Sequence, residues 1–108
     1  MSKSPLLQGT LDLLVLKTLS WGPRHGYAIA RRIEEATDDM LRIEEGSLYP
    51  SLYRMERRGW LEAEWGESEL GRRAKLYRLT RQGRAQLEAE TAAWRQFAAG
   101  VSRILLAQ

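Results

Sequence analysis

The sequence predicts a mainly α-helical (α+β) domain in which three helices precede a two-stranded hairpin and a long final helix. Apolar residues recur at helical spacing in three segments before Gly59. Two short segments, 61–65 and 74–79, then alternate between apolar and polar side chains around a glycine-containing loop, which is a hairpin pattern. We expect one compact unit from a chain of 108 residues, with 1–80 and 81–108 as its two functional parts.

The first helix is expected to start at Pro5, with Ser4 as its N-cap, because proline suits the first helical position. Its apolar residues occupy more than one face, so we expect other elements to cover it on two sides. Gly22 and Pro23 are expected to end this helical region in a turn.

The second and third helices are separated by a polar, acidic stretch. The second helix is expected over 26–36, and 37–46 is expected to form a loop or a short strand. The third helix is expected to open at Ser47, a favourable N-cap. Pro50 would then occupy the third helical position, where a missing N–H leaves no hydrogen bond unmade. Gly59 is expected to follow its C-terminus.

The third helix is the candidate DNA-reading element. At 100° per residue its core face consists of three apolar residues, Leu48, Leu52 and Met55. Guanidinium groups, phenols and small hydroxyls on the other side suit a DNA major groove, and the candidate contacts are Ser47, Tyr49, Pro50, Ser51, Tyr53, Arg54 and Arg57. The alternative is an ordinary amphipathic helix with a solvated face.

Positive charge is concentrated in one segment of the chain, which runs from the second half of the hairpin into the last helix. The window 71–84 has six basic residues and no acidic residue, a charge of +6, whereas the remainder carries −3. We expect Arg72, Arg73 and Lys75 at the hairpin tip to neutralise phosphates or to enter a narrow minor groove. The remaining basic residues of the window contact DNA, form salt bridges or line the last helix: Arg78, Arg81 and Arg84. The order of elements is that of a winged helix-turn-helix with an added C-terminal helix.

The last helix is expected to begin after Thr80 as its N-cap and to mediate dimerisation. Apolar or small residues recur at spacings of four and three, the a/d pattern of a helical seam, at Leu87, Thr91, Trp94, Ala98, Val101 and Leu105. Phe97 and Ile104 broaden this seam. The alternative is that the seam packs only on the first helix of the same chain.

Catalysis, cofactor binding and metal binding are not expected. The chain has no cysteine, a single histidine, His25, and no glycine-rich phosphate loop. We expect His25 to be a helix-start or packing residue rather than a base. Paired acidic residues in 34–45 lack the spacing of a calcium loop and are expected to form a solvated surface. No apolar stretch has the length of a membrane span, and the absence of cysteine fits a reducing cytoplasm.

Four motifs follow one another along the chain: Gly26-Tyr27-Ala28-Ile29; Gly46-Ser47-Leu48-Tyr49-Pro50-Ser51-Leu52; Gly59 after an arginine-rich turn; and Tyr77-Arg78-Leu79-Thr80 with Gly83. In this order and spacing they resemble the PadR family of bacterial regulators, and the resemblance covers nearly the whole chain. Leu76 departs from the family pattern, which usually has a second aromatic residue before Tyr77.

The resemblance implies a dimeric winged-helix regulator, usually a repressor, whose third helix and wing bind an inverted repeat in a promoter. The short chain matches the compact branch of the family, which has one C-terminal helix. The expected partners are double-stranded DNA and a second copy of the chain. The alternative is a dimeric winged-helix adaptor that does not read DNA, against which the +6 window argues.

Trp94 is the candidate effector-binding residue. In compact, multidrug-responsive relatives within the PadR family, a Trp at the matching place faces its dimer mate across a central cavity where flat aromatic compounds stack. The resemblance therefore implies a small aromatic effector at Trp94. A large indole beside the smaller Thr91 and Ala98 also leaves room for a stacking slot. The alternative is that Trp94 only fills the interface.

Overall fold

The computed structural model describes residues 5–67 and 71–108. Its elements are, in chain order, α1 (Pro5–Leu19), β1 (Arg24–His25), α2 (Gly26–Ala36), α3 (Glu45–Arg57), β2 (Leu61–Glu67), β3 (Arg73–Leu79) and α4 (Arg81–Leu105). The predicted mainly helical winged-helix architecture is confirmed, with β2 and β3 as the wing. Ser4, the predicted N-cap of α1, lies outside the described residues.

Helix α1 runs through the centre of the core. It packs against α2, α3, α4 and β3, and its Val15 and Leu16 are completely buried. Ile29 of α2 and Leu52 and Met55 of α3 join them in one apolar cluster. Because neighbours cover α1 from several directions, its apolar residues occupy more than one face, as the sequence predicts.

Helix α3 begins two residues before the predicted N-cap. Glu44, in extended conformation, is the N-cap, and its carbonyl oxygen accepts hydrogen bonds from the N–H groups of Ser47 and Leu48. The predicted start at Ser47 is therefore wrong, and Pro50 is the sixth helical residue rather than the third. Its missing N–H leaves the carbonyl of Gly46 without the usual helical donor four residues on.

The end of α3 follows the prediction. Gly59 adopts a φ of 80°, and its N–H donates to the Glu56 carbonyl oxygen over 3.0 Å. The Trp60 N–H donates to the Met55 carbonyl oxygen, also over 3.0 Å, which completes the hydrogen-bond pair typical of a glycine-terminated helix. The chain thereby turns directly into the wing.

The sheet has three antiparallel strands in the order β1-β3-β2, so the wing gains a strand that the sequence did not predict. Arg24 pairs with Tyr77 and His25 with Leu76. A strand of two residues is too short to show alternation, and the preceding Gly22 and Pro23 indicate only a turn. His25 is the N-cap of α2, consistent with its predicted place at a helix start.

The segment between α2 and α3 forms turns rather than the short strand that the sequence left open. Asp38 and Asp39 have φ values of 50° and 62°, a conformation incompatible with an extended strand. The Glu34 carboxylate accepts a hydrogen bond from the Ile43 N–H over 2.9 Å, which holds the returning chain against α2.

Helix α4 starts on the core and then extends past it. Thr80 is its N-cap, as predicted, and the Thr80 hydroxyl accepts a hydrogen bond from the Gly83 N–H over 2.9 Å. A Cβ atom at Gly83 would lie 2.1 Å from the Trp60 carbonyl oxygen, so only glycine allows this approach. The described molecule is elongated, 55 × 31 × 22 Å. Within the described residues no helix combines the length and apolar character of a membrane span.

Candidate nucleic-acid interface

Helix α3 presents a polar and aromatic surface, here called the α3 strip, which consists of Tyr49, Pro50, Tyr53 and Arg57, all exposed. Tyr53 is 59% exposed, and the Arg57 guanidinium carbon lies 5.6 Å from the centre of its ring. Nη1 of Arg57 is 3.4 Å from the Tyr53 hydroxyl oxygen. A guanidinium held beside a phenol one helical turn away is a suitable donor group for a base edge or a phosphate.

Ser51 does not belong to the exposed face, and that expectation is wrong. Its side chain is 1% exposed, and its hydroxyl donates to Oδ1 of Asp12 on α1 over 2.5 Å. Ser51 lies only one helical step from Leu52, which places it at the edge of the core face. Ser47, another predicted contact, is half-buried at the start of α3.

Arg54 is held by the same carboxylate. Its Nη2 lies 2.9 Å from Oδ1 and 3.0 Å from Oδ2 of Asp12, and 41% of the Arg54 side chain remains exposed. Asp12 itself is largely buried. The structure therefore fixes Arg54 at the α1 side of the strip, where its orientation depends on Asp12.

The wing side of α3 carries a second ion pair. Lys75 of β3 places Nζ 3.3 Å from Oε1 of Glu56 on α3. Trp65, directly opposite Lys75 in the register, is exposed and has Lys75 Nζ 5.6 Å and Arg73 Cζ 5.1 Å from its ring. Two of the three predicted tip cations, Arg73 and Lys75, thus lie beside an indole ring, and Lys75 is also paired with α3.

Between α3 and the wing lies a groove of about 500 Å³. Aromatic rings line it from α2, α3 and both wing strands: Tyr27, Tyr49, Tyr53, Trp65 and Tyr77. Arg73, Lys75 and Glu56 supply charged groups to the same groove. An exposed helical strip, cationic side chains and aromatic faces therefore converge on one side of the molecule, as an interface for nucleic acid requires.

Comparisons with known proteins establish the family to which this chain belongs. The model of the transcriptional regulator PadR-like family matches residues 15–89, which include α3 and both wing strands. The chain belongs to the PadR-like family. An uncharacterised protein from Lysinibacillus sphaericus is 32% identical over 94 residues, which is 87% of this chain and 86% of that relative.

Solved structures agree with the PadR assignment. A transcriptional regulator from Clostridium thermocellum superposes with a TM-score of 0.84 at 27% identity, over 93% of this chain and 97% of its own. A PadR family transcriptional regulator from Eggerthella lenta has a TM-score of 0.79 at 34% identity, over 95% and 88%. The chain is a transcriptional regulator that acts through DNA binding, and not an enzyme.

Two PadR-type motifs meet at Tyr49. Its ring lies across the start of α2, where a Cβ atom on Gly26 would be 2.8 Å from the ring and from the hydroxyl oxygen. Burial and, secondarily, the charge of Glu45 raise the pKa of Tyr49. Burial raises the pKa of Tyr77 too, with smaller effects of Glu56 and Tyr49. Both phenols are protonated at neutral pH, as an ordinary tyrosine is, and can donate hydrogen bonds.

The other basic residues of the 71–84 window lie in three places. Arg72 is exposed next to β3, on the wing. Arg78 points to the opposite face of the wing, where its Nη2 lies 2.8 Å from Oε1 of Glu64. Arg81 and Arg84 are exposed at the start of α4. The groove thus receives part of the positive window, while Arg78 forms the salt bridge that the sequence analysis allowed.

Helix α4 divides into a packed half and an exposed half. Leu87 packs against the core, and Thr91 and Ala98 are half-buried. The remaining seam residues and their apolar neighbours are exposed: Trp94, Phe97, Val101, Ile104 and Leu105. The alternative of a seam covered entirely by α1 of the same chain therefore does not describe its second half.

Asp12, Glu56 and Trp65 are not among the site residues predicted from the sequence, although each contacts a predicted site residue on α3 or the wing. Asp12 had a signal, because it interrupts an apolar helix and a carboxylate there requires a partner. Trp65 alternates with Glu64, and its face could be read from the sequence, but its place beside Lys75 depends on the strand register. In the sequence Glu56 has the pattern of an ordinary solvent-exposed helix residue, and only the packed fold shows its pairing with Lys75 of the wing.

Proposed function

We propose that this PadR-family chain is a repressor that binds an inverted repeat as a homodimer, with residues 1–80 reading DNA and 81–108 forming the dimer helix. The observation that carries the proposal is the convergence of the exposed α3 strip and the wing cations Arg73 and Lys75 on a single groove. A helix of this kind fits a major groove, while an adjacent wing contacts the flanking backbone. A cytoplasmic location accords with this role.

Within the interface, the two elements have different tasks. Arg57 and Tyr53 of α3, with Arg54 oriented by Asp12, read base edges, and Tyr49 and Ser47 position the helix on the backbone. Arg72 and Arg73 of the wing neutralise phosphates. Ser51 acts through Asp12 rather than on DNA, because its hydroxyl is buried and already donates.

Dimerisation is supported by the second half of α4. Trp94 is 45% exposed, and Ile104 and Leu105 are exposed still more. An apolar helical face of this length is unfavourable in water, and a two-fold pairing with the same face of another copy buries it. The two recognition helices then reach half-sites about one helical turn apart on one side of the duplex.

The same seam supports an aromatic effector. The ring centres of Trp94 and Phe97 lie 6.1 Å apart, so exposed aromatic faces adjoin each other where the dimer axis is expected. Planar aromatic compounds should quench Trp94 fluorescence in variants with Trp21, Trp60 or Trp65 replaced by Phe. Quenching without a change in DNA affinity would mean that bound ligand does not regulate the protein.

The test of DNA reading is selection of duplexes from a random library, followed by affinity measurements over a salt series. We expect an enriched inverted repeat, bound at least about 1,000-fold more tightly than random duplex. A dimeric adaptor would enrich no sequence and would show little salt dependence. An enriched single half-site bound by one chain would contradict the dimer but not the DNA-reading role.

A further inference from the structure

Glu56 places a carboxylate on the face that the proposed function assigns to a polyanion. It lies on α3 one residue before Arg57 and lines the groove beside the wing. About a third of its side chain is exposed, 31%, and Lys75 is similarly exposed, 30%. A negative charge here repels approaching phosphates unless a cation compensates for it.

Lys75 is that cation, and the structure holds it from two sides. Its Nζ lies 3.3 Å from Glu56 Oε1, and its backbone carbonyl oxygen lies 2.9 Å from Nδ1 of His25. Trp65 has the Lys75 ammonium 5.6 Å from its ring. In the free protein the ammonium is therefore directed into the groove, towards α3, where it is paired with a carboxylate.

Arg73 provides the contrast within the same strand. It is exposed and has its guanidinium carbon 5.1 Å from the Trp65 ring, on the same face of the wing as Lys75. Among the described residues no ion pair joins Arg73 to a carboxylate, although Glu67 lies opposite it in the strand register. Two wing cations two residues apart thus differ in how readily they can meet a phosphate.

We propose that Glu56 is a specificity-determining positioning residue that withholds Lys75 from phosphates in non-specific complexes. A duplex of arbitrary sequence is bound through Arg72 and Arg73 and gains little from Lys75, because the ammonium remains paired with Glu56. A duplex that seats the α3 strip in its major groove brings a phosphate to the mouth of the groove and takes Lys75 from Glu56. This inference rests on the proposed DNA interface and assigns part of its selectivity to one ion pair.

The wing offers a matched control on its other face. Glu64 pairs with Arg78 over 2.8 Å, and alternation along β2 and β3 directs this pair away from Trp65 and Lys75. Glu56→Gln and Glu64→Gln each remove one carboxylate and one wing ion pair, and they change net charge equally. A general charge effect would therefore appear in both variants.

The experiment measures the affinity of both variants for a random-sequence duplex and for the selected duplex between 50 and about 200 mM salt. We expect Glu56→Gln to raise the affinity for random duplex roughly 5-fold to 10-fold and to steepen the salt slope by about 0.9, as one added phosphate contact requires. Affinity for the selected duplex should change less, so the specificity ratio falls. Glu64→Gln should stay within about 2-fold of wild type for both duplexes.

A double-mutant cycle with Lys75→Gln separates this role from a structural one. Lys75→Gln alone should weaken binding to the selected duplex and leave random duplex nearly unaffected. In the Glu56→Gln background it should abolish the gained affinity for random duplex. Thermal melting of each variant verifies that it is folded.

The possible failures are distinguishable. A wild-type protein that selects no sequence would overturn the proposed function itself. A wild-type protein that selects an operator, with Glu56→Gln indistinguishable from Glu64→Gln, would overturn this inference alone. An effect of Glu56→Gln that persists unchanged in the Lys75→Gln background would show that Glu56 acts on phosphates directly and not through Lys75.

Discussion

The α3 strip and the second half of α4 are both exposed, but they are built for different partners. The α3 strip is polar and aromatic, and ion pairs hold its two edges, Arg54 with Asp12 and Glu56 with Lys75. The exposed part of α4 is mainly apolar, and its ring contact joins neighbours on the same helix, Trp94 and Phe97.

This difference indicates how one small domain can bind both DNA and a second copy of itself. DNA is a rigid polyanion with fixed donor and acceptor positions, so the guanidinium groups that read it gain from being oriented in advance. An apolar helical face needs a complementary surface and water exclusion, which another copy supplies. Disrupting either surface should therefore leave the other intact.

The largest effect is expected from a charge placed in the α4 seam. Val101→Glu should weaken dimerisation by at least about 3 kcal/mol, or more than about 100-fold, because a carboxylate would have to be buried. Gln96→Glu adds the same charge on the opposite side of α4 and should leave dimerisation unchanged. Sedimentation equilibrium measures both, and a fully dimeric Val101→Glu protein would place the interface elsewhere.

The next effect concerns the α1 edge of α3. Asp12→Ala removes the acceptor of the buried Ser51 hydroxyl and the partner of Arg54, and should lower the free energy of unfolding by about 2 to 3 kcal/mol. Glu35→Ala breaks an exposed ion pair with Arg31 on α2 and should cost less than about 0.5 kcal/mol. Urea denaturation at one fixed protein concentration compares them. Equal losses would mean that Asp12 does not stabilise α3 specifically.

Base reading and phosphate contact should also separate. Arg57→Ala should lose about 1 to 3 kcal/mol of discrimination at particular base pairs. Arg73→Ala should instead weaken binding to every duplex and reduce the salt slope by about 0.9. Affinities for single-base variants of the selected duplex test this division, and the reverse pattern would mean that the wing reads sequence.

The sequence predicted the elements whose signals are local. Thr80 and Gly59 marked helix ends through capping chemistry, and the core face of α3 followed from the spacing of Leu48, Leu52 and Met55. Features that depend on two distant segments were missed. The pairing of Arg24 and His25 with β3 and the burial of Ser51 against Asp12 require the packed fold.

The predicted start of α3 was wrong, and the reason is the backbone conformation just before the helix. Serine is the residue type that N-cap positions prefer. In the structure, however, Glu44 has the extended conformation, and its carbonyl oxygen accepts hydrogen bonds from the N–H groups of Ser47 and Leu48. Its neighbour Glu45 places a negative charge in the first turn, which the helix dipole favours. The boundary therefore lies at the extended backbone of Glu44 and not at the residue with the higher cap preference.

The smallest effect is a pH dependence in the groove. Because burial raises the pKa of Tyr77, folding favours its protonated form, so this contribution to stability is complete below about pH 10 and is lost as pH rises through the higher pKa of the folded state. Tyr77→Phe should therefore show a shallower fall in melting temperature between about pH 9.5 and 11.5 than wild type. Parallel curves would assign alkaline instability to other groups.

The proposal assigns DNA binding to the α3 strip and the wing, and dimerisation to the exposed half of α4. The most direct test of this assignment is the mass of the complex formed on the selected duplex. Sedimentation velocity should find two wild-type chains per duplex. Val101→Glu should bind the same duplex far more weakly, with single chains occupying it at low protein concentration, since its α3 strip and wing are unchanged. One wild-type chain per duplex, bound at full affinity, would contradict the assignment of the exposed half of α4 to a second copy.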